Sequence, residues 1–185
     1  MTRYLFAILI SFFSLTAWSE TPLGNFQGLD VVSGKEYQVA FPSEKKATIL
    51  VFISAKCPCS ASHEVLLKDL SSEYKEFAFF GVHSNSDEDQ ETTKKHFSET
   101  QLPFPVLQDQ KNFLANKLGA LKTPHAFVLN NNGEVIYHGG VTDSHVGPSA
   151  KRHFLKDVLE DLRAGKAPRH KEGRALGCYI QREED

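Results

Sequence analysis

Residues 47–60 read ATILVFISAKCPCS, in which an unbroken apolar run is followed at once by two cysteines. The apolar, β-branched run over residues 47–53 is typical of a strand that is buried on both faces. The apolar side chains after it recur at helical spacing: Val65, Leu66, Leu70 and Tyr74. This spacing predicts a helix over residues 60–74. The two cysteines therefore lie where a buried strand passes into a helix.

The rest of the chain alternates between strand and helix patterns. Extended patterns cover residues 77–83, 103–107, 126–129 and 135–137, and helical patterns cover residues 87–100, 111–118 and 149–164. Residues 29–39 are typical of a hairpin with glycine at its turn. The order of elements predicts one α/β domain, in which parallel strands joined by crossovers form the first half and an antiparallel pair is added.

Composition and charge exclude several classes of protein. Of the 185 residues, 24% are charged and 41% are hydrophobic, and the formal net charge is −2. This balance is that of a folded domain, and it excludes wholesale disorder and a strongly basic nucleic-acid-binding protein. Three cysteines are too few for a disulfide-dense scaffold. No apolar run reaches the roughly 18–20 residues that a membrane span needs.

The first residues are typical of a secretory signal peptide. Arg3 supplies a positive charge, residues 4–15 are almost wholly apolar, and residues 17–19 (AWS) fit the rule of small residues before a cleavage site. We therefore expect cleavage after Ser19 and a periplasmic or secreted mature protein. An uncleaved N-terminal anchor is the alternative.

The expected domain organisation follows from this cleavage. It comprises a signal peptide at residues 1–19, a single domain at residues 20–165 and a C-terminal tail at residues 166–185 that carries Cys178. The tail is polar except for residues 175–180 (ALGCYI). This apolar patch predicts that the tail docks onto the domain.

Cys57 has the setting of a reactive thiol. At the start of a helix, unpaired backbone N–H groups and the helix dipole stabilise a thiolate, and Lys56 adds a neighbouring positive charge. A lowered pKa makes a thiol nucleophilic near neutral pH. An exported chain meets an oxidising compartment, where three cysteines allow one intramolecular pair at most.

Several motifs together resemble one family. They are Cys57-Pro58-x-Ser60, residues 81–85 (GVHSN), residues 104–107 (FPVL), residues 123–128 (TPHAFV) and the terminal Gly177-Cys178-x-Ile180. Their order along residues 22–180 resembles the redoxin branch of the alkyl hydroperoxide reductase/thiol-specific antioxidant superfamily. The resemblance implies a thioredoxin-like α/β fold, with a central mixed β-sheet flanked by helices.

The resemblance also implies an activity and a site. It implies an antioxidant, thiol-dependent oxidoreductase in which Cys57 attacks a disulfide or a peroxide. An external thiol partner would supply the electrons, and no organic cofactor would take part. Pro124 would be a cis-proline beside Cys57, and the backbone of Thr123 would pair with an extended substrate.

The chain departs from related families in four respects. Thioredoxins have a second cysteine where Ser60 stands and a tryptophan where Lys56 stands, and peroxiredoxins have a proline where Leu50 stands. Peroxiredoxins also place an arginine at the thiolate, and no arginine lies between Arg3 and Arg152. We therefore expect disulfide exchange, with weak peroxidase activity at most.

Two cysteines are candidates for resolving Cys57. A Cys57–Cys59 disulfide would close a very small, strained ring. A Cys57–Cys178 bond has no such strain if the tail docks. Members that resemble this chain pair a lone motif cysteine with a Gly-Cys tail, so Cys178 is the expected partner. A structural Cys59–Cys178 bond is the alternative.

A metal-binding hypothesis uses the same cysteines. Cys57 and Cys59, with His63 or His125, would make a soft ligand set suited to copper(I). Copper chaperones with the thioredoxin fold also use two cysteines and a histidine. The second hypothesis is therefore a copper-binding chaperone, and a third is a redox-silent interaction domain.

The remaining polar features predict little chemistry. The acidic residues 87–91 are interpreted as a solvated helix start, and His145 as a solvated side chain. His83 ends a predicted strand on the side where α/β sheets place their sites.

Overall fold

The computed structural model describes residues 22–183. The signal-like segment and the predicted cleavage after Ser19 lie outside the described residues. Within the described range, the helices are too short or too polar to cross a membrane.

The elements alternate as the sequence predicts. The strands are β1 (Phe26–Leu29), β2 (Glu36–Val39), β3 (Ala47–Phe52), β4 (Ala78–His83), β5 (Val106–Gln108), β6 (Lys122–Thr123), β7 (His125–Asn130), β8 (Val135–Gly139) and β9 (Cys178–Tyr179). The helices are α1 (Pro58–Ala61), α2 (Glu64–Glu73), α3 (Gln90–Thr100), α4 (Phe113–Leu118) and α5 (Phe154–Arg163). Single 3₁₀ turns occur at Gln110–Asn112 and Gly147–Ser149.

The centre of the fold is a five-stranded sheet in the order β5-β4-β3-β7-β8. β3 is parallel to β4 and β4 is parallel to β5, whereas β7 is antiparallel to both β3 and β8. Helices form the two parallel crossovers, as parallel pairing requires. This is the predicted mixed sheet flanked by helices, with the β1–β2 hairpin added at the N-terminal side.

Burial on both faces explains why five of the six residues of β3 are apolar, with Thr48 as the exception. All six of its residues are buried, and successive side chains point to opposite faces of the sheet. Ile49 and Val51 pack with residues of α2, α3 and α5, whereas Leu50 and Phe52 pack with residues of α4, the β1–β2 hairpin and the tail. Both faces of β3 are therefore covered, and this fixes the position of Cys57 just beyond its end.

The predicted helix over residues 60–74 is divided in two at Ser62 and His63. In a continuous helix the carbonyl of Cys59 would accept the backbone N–H of His63. Here that carbonyl accepts the Ser62 hydroxyl at 2.9 Å and contacts His63 Nδ1 at 2.7 Å, and the backbone N–H of His63 bonds to Ser60 instead. Side-chain hydrogen bonds thus replace one helical bond and separate α1 from α2.

The last helix begins later than predicted, at Phe154 rather than near residue 149. The carboxylate of Asp143 accepts the backbone N–H groups of Lys151 and Arg152 at 2.9 and 3.1 Å. These residues are therefore held in a loop, where the side chain of a distant residue satisfies their donors.

The tail docks onto the domain, as the apolar patch predicts. β9 pairs with β6, with Thr123 opposite Cys178. Ile180 donates its N–H to the carbonyl of Leu121 at 3.1 Å, and its side chain is buried. A Cβ at Gly177 would overlap the carbonyl of Thr123, so glycine at this position allows the close approach of the two strands.

Candidate active site

Cys57 occupies the predicted junction between β3 and the first helix. It is the residue before α1, its backbone is extended (φ −81°, ψ 113°), and Pro58 holds the first helical position. Proline fits there because its missing N–H would be unpaired in any case. The side chain of Cys57 is 3% exposed, so its sulfur is almost wholly enclosed by protein.

The structure brings the three cysteines together. Cys57 Sγ lies 2.6 Å from Cys178 Sγ, and all three sulfur atoms lie within 4.8 Å of one another. All three are free thiols; Cys59 and Cys178 are partly exposed. The docked tail thus places Cys178 beside Cys57, the pair that the resemblance implies.

The Thr123–Pro124 peptide bond is cis, as the resemblance implies. The carbonyl of Thr123 accepts a hydrogen bond from Cys57 Sγ at 3.1 Å. The backbone of Thr123, which the resemblance assigns to a substrate, is paired with Cys178 of the tail. An incoming chain therefore cannot pair with Thr123 while the tail is docked. The assignment of Thr123 and Pro124 to substrate binding stays a prediction.

The surroundings of Cys57 set its protonation. Burial raises the pKa of the Cys57 thiol, but hydrogen bonds from the Cys178 thiol and the Ser60 backbone N–H outweigh burial, so the pKa lies below its usual value. The Ser60 N–H belongs to the first turn of α1, which agrees with a thiolate stabilised at a helix start. The Nζ of Lys56 donates to the carbonyl of Asp87 at 2.7 Å, and the causes that lower the pKa of Cys57 are hydrogen bonds rather than the charge of Lys56.

The pKa values of Cys178 and Cys59 are raised, whereas that of Cys57 is lowered. Burial, the hydrogen bond to Cys57 and the charge of Cys57 raise the pKa of Cys178 to about 12. Burial and the charge of Cys57 also raise the pKa of Cys59. Of the three thiols, Cys57 is therefore the one whose pKa is lowered, and it loses its proton more readily than Cys178 or Cys59.

A buried carboxylate supports the loop that carries Cys57. Glu88 is 7% exposed and accepts hydrogen bonds from the Ser54 hydroxyl and from the backbone N–H of Ala55 at 2.7 Å. The Ser54 hydroxyl in turn accepts the backbone N–H of Cys57 at 3.0 Å. This corrects the interpretation of residues 87–91 as a solvated stretch, since Glu88 points inward.

His83 completes this network. Its Nε2 lies 3.0 Å from the Glu88 carboxylate, and its side chain is 1% exposed. Burial raises the pKa of Glu88, but hydrogen bonds from His83 and Ser54 outweigh burial and hold it below its usual value. The position of His83 at a strand end was a usable signal in the sequence, whereas nothing local distinguished Glu88 from its acidic neighbours.

The two predicted histidine ligands do not join the cysteine cluster. His63 Nδ1 contacts the Cys59 carbonyl at 2.7 Å and its Nε2 contacts Thr142 Oγ1 at 2.8 Å, so both ring nitrogens are engaged. His125 is buried against Phe127, and its Nδ1 accepts the N–H of Leu121 at 3.3 Å.

His145 lies at the cluster instead. This exposed side chain, predicted to be solvated, has its Nδ1 3.8 Å from Cys59 Sγ. The loop that carries His145 is also fastened to the helix break, because its carbonyl accepts the Ser62 hydroxyl at 3.2 Å.

Comparison with known proteins agrees with this geometry. The Redoxin family model matches residues 20–153. No curated protein matches the chain.

Similar solved structures support the fold. An uncharacterized conserved protein from Geobacillus kaustophilus is 24% identical, with a TM-score of 0.78 over 90% of this chain and 93% of that one. A hypothetical protein from Sinorhizobium meliloti 1021 is 22% identical, with a TM-score of 0.79 over 92% and 97%. Peroxidoxin BcpB from Mycobacterium tuberculosis is 16% identical, with a TM-score of 0.59 over 79% and 96%. These similarities establish the thioredoxin-like fold that the sequence implies.

Proposed function

Because the chain belongs to the redoxin family, we propose that it is an exported thiol–disulfide oxidoreductase in which Cys57 is the nucleophile and Cys178 the resolving thiol. The observation that carries the proposal is the distance of 2.6 Å between the two sulfur atoms. The signal-like residues 1–19 support an oxidising compartment, where such chemistry has substrates.

The proposed reaction has two steps. The Cys57 thiolate attacks one sulfur of a substrate disulfide, the substrate S–S bond breaks, and the departing thiolate takes a proton from solvent. Cys178 then attacks the Cys57 sulfur of the mixed disulfide and releases the second substrate thiol. The substrate gains two electrons and the protein ends with a Cys57–Cys178 disulfide. An external thiol reductant returns it to the starting state.

The protonation of the two thiols favours this order. While Cys57 is a thiolate, its charge helps to hold the pKa of Cys178 near 12, so Cys178 is a poor nucleophile. Once Cys57 is bonded to substrate, that charge is gone and the pKa of Cys178 falls. Cys178 therefore becomes reactive only after the mixed disulfide has formed.

Tail release is part of the proposed cycle for extended substrates. Pairing of Cys178 with Thr123 occupies the backbone that an extended substrate would use. β9 has only two residues and Tyr179 is exposed, so a competing strand can displace it at low cost. A small disulfide can instead approach the partly exposed side of the cysteine cluster.

Peroxide is a less suitable substrate than a disulfide for this site. Leu50, which replaces the peroxiredoxin proline, is buried inside β3. The pKa of Cys57 is lowered by hydrogen bonds, without an arginine among the causes. We therefore propose disulfide exchange as the main activity.

Trapping of the mixed disulfide tests the proposal. The mature protein and its Cys57→Ser, Cys178→Ser and Cys59→Ser variants are incubated with glutathione disulfide and analysed by intact and peptide mass. We expect no adduct in Cys57→Ser, a stable glutathione adduct on Cys57 in Cys178→Ser, and a Cys57–Cys178 disulfide in Cys59→Ser. A stable adduct in Cys59→Ser but not in Cys178→Ser would instead assign resolution to Cys59. An unreactive Cys57 would indicate a redox-silent domain.

A further inference from the structure

We propose that Cys57, Cys59 and Cys178 form a binding site for one copper(I) ion when all three are reduced. Their sulfur atoms lie within 4.8 Å of one another, although they come from two distant parts of the chain. An ion bonded to three sulfurs at about 2.3 Å would hold those sulfurs about 4 Å apart. The distances between the three sulfur atoms in the cluster, all within 4.8 Å, are therefore close to those of a three-sulfur copper site.

The three thiols are held by two elements of the fold, the start of α1 and strand β9. Cys57 caps α1 and Cys59 lies in its single turn, so one short helix presents both. Cys178 comes from β9, which is fastened to β6 next to the cis-proline. The spacing of two residues disfavours a Cys57–Cys59 disulfide, but it allows both sulfurs to face one ion.

One contact must lengthen when the ion binds. The distance of 2.6 Å between Cys57 Sγ and Cys178 Sγ has to increase by roughly 1.4 Å to reach the spacing of a three-sulfur site. Cys57 is fixed by its burial and by the backbone bond to Ser54. Cys178 is partly exposed, so rotation of its side chain can provide the change.

The ligand set favours copper(I) over zinc. Thiolates are soft ligands suited to copper(I), which accepts three of them, whereas structural zinc takes four ligands. Within residues 22–183, the group of mutually close ligand atoms contains the three cysteines and neither a histidine nor a carboxylate. Both ring nitrogens of His63 are engaged elsewhere. The three cysteines therefore replace the set with His63 or His125.

His145 offers a nitrogen beside the cluster that could complete a tetrahedral site. Its Nδ1 lies 3.8 Å from Cys59 Sγ, and it is an exposed loop side chain. We assign it no bond to the ion, so its removal serves as the matched control.

Copper binding and disulfide formation exclude each other in this site. Both need the sulfurs of Cys57 and Cys178, and oxidation of the pair to a disulfide removes two of the three ligands. Oxidation therefore releases the ion, and bound copper protects the pair from oxidation. Binding itself does not rest on the proposed enzymatic function, because it needs only the reduced cluster.

An anaerobic titration with copper(I) tests the site. The reduced mature protein competes with the chromophoric chelator bicinchoninate for copper(I). We expect one ion per chain, and we expect X-ray absorption spectroscopy to show three sulfur ligands on it. Cys59→Ser should lower the affinity at least tenfold and leave two sulfurs on the ion, whereas His145→Ala should change the affinity less than twofold. Circular dichroism checks that both variants fold.

Three results would overturn the proposal. The first is an affinity of Cys59→Ser equal to that of the parent protein. The second is a nitrogen ligand that disappears in His145→Ala, with zinc(II) competing effectively, which would indicate a tetrahedral zinc site. The third is no binding in competition with bicinchoninate. Each is distinguishable from failure of the proposed enzyme, which the glutathione adducts report independently of copper.

Discussion

The backbone of Cys178 is paired with the backbone of Thr123, and the carbonyl of Thr123 lies 3.1 Å from Cys57 Sγ. The tail thus pairs with the backbone that we propose binds an extended substrate, next to the cis-proline, and it places the Cys178 thiol beside Cys57, the proposed nucleophile. Docking of the tail therefore brings the Cys178 thiol next to Cys57 in the same step. Disturbance of the β6–β9 pairing should change the chemistry of Cys57 without any change near the first helix.

The first prediction concerns Gly177. A Cβ at this position would overlap the carbonyl of Thr123, so Gly177→Val should displace β9. We expect Cys57–Cys178 disulfide formation to slow at least tenfold, and Cys178 to become more accessible to alkylation. Gly24→Val is the control, because nothing lies within 4 Å of a Cβ there. Equal oxidation rates in the two variants would show that docking does not control the pair.

The second prediction concerns Cys178 and the thiolate. The Cys178 thiol is the strongest hydrogen-bonding influence that lowers the pKa of Cys57. Cys178→Ala should therefore raise the apparent pKa of Cys57, measured as the pH dependence of its alkylation by iodoacetamide. Cys178→Ser should restore much of the lowering, since a hydroxyl can also donate. Identical profiles for both variants would contradict a role for the donated hydrogen bond.

The third prediction concerns Glu88. Glu88→Gln replaces a buried acceptor by a group that brings donors toward Ser54 and Ala55. We expect a loss of about 3 kcal/mol in the free energy of unfolding, measured with denaturant, together with a shifted pH profile of Cys57 alkylation. Glu91→Gln on the exposed side of α3 should change stability by roughly 0.5 kcal/mol or less. A shift in stability alone would indicate that Glu88 has only a structural role.

The fourth prediction concerns His125. Burial, with a smaller effect from His138, lowers the pKa of His125 to about 4 from 6.5. The unfolded chain therefore binds this proton below pH 6.5, whereas the folded protein binds it only near pH 4. Stability should fall as the pH decreases between these values, by on the order of 3 kcal/mol in total.

Urea unfolding at a series of pH values measures the effect of His125. His125→Gln should flatten the dependence of stability on pH above pH 4.5, the usual pKa of Glu88, because Glu88 loses its contribution only below that value. His145→Gln, at an exposed position, should leave the dependence unchanged. An unaltered slope in His125→Gln would contradict the assignment.

Much of the fold is predictable from local patterns. The apolar run of β3 is visible in a short window of sequence, and the apolar patch around Cys178 predicts docking of the tail. The cis state of Pro124 is not local information. Its prediction depends on the resemblance of several motifs, in order along the chain, to the redoxin family.

The parts that could not be predicted depend on distant contacts. At the helix break, Nε2 of the buried His63 contacts Oγ1 of Thr142, which lies 79 residues away. Glu88 supports the Cys57 loop through Ser54, 34 residues away, and in the sequence it is one of several adjacent acidic residues. The close approach of His145 to Cys59 likewise spans 86 residues. The spacing of residues within one helix or strand cannot predict contacts between such distant segments.

The central claim is that Cys57 and Cys178 are the working pair. Peptide-mass mapping after oxidation of the reduced protein with one equivalent of disulfide, with free thiols trapped by alkylation, tests it most directly. We expect a Cys57–Cys178 disulfide with Cys59 alkylated. A Cys59–Cys178 disulfide with Cys57 alkylated would contradict it.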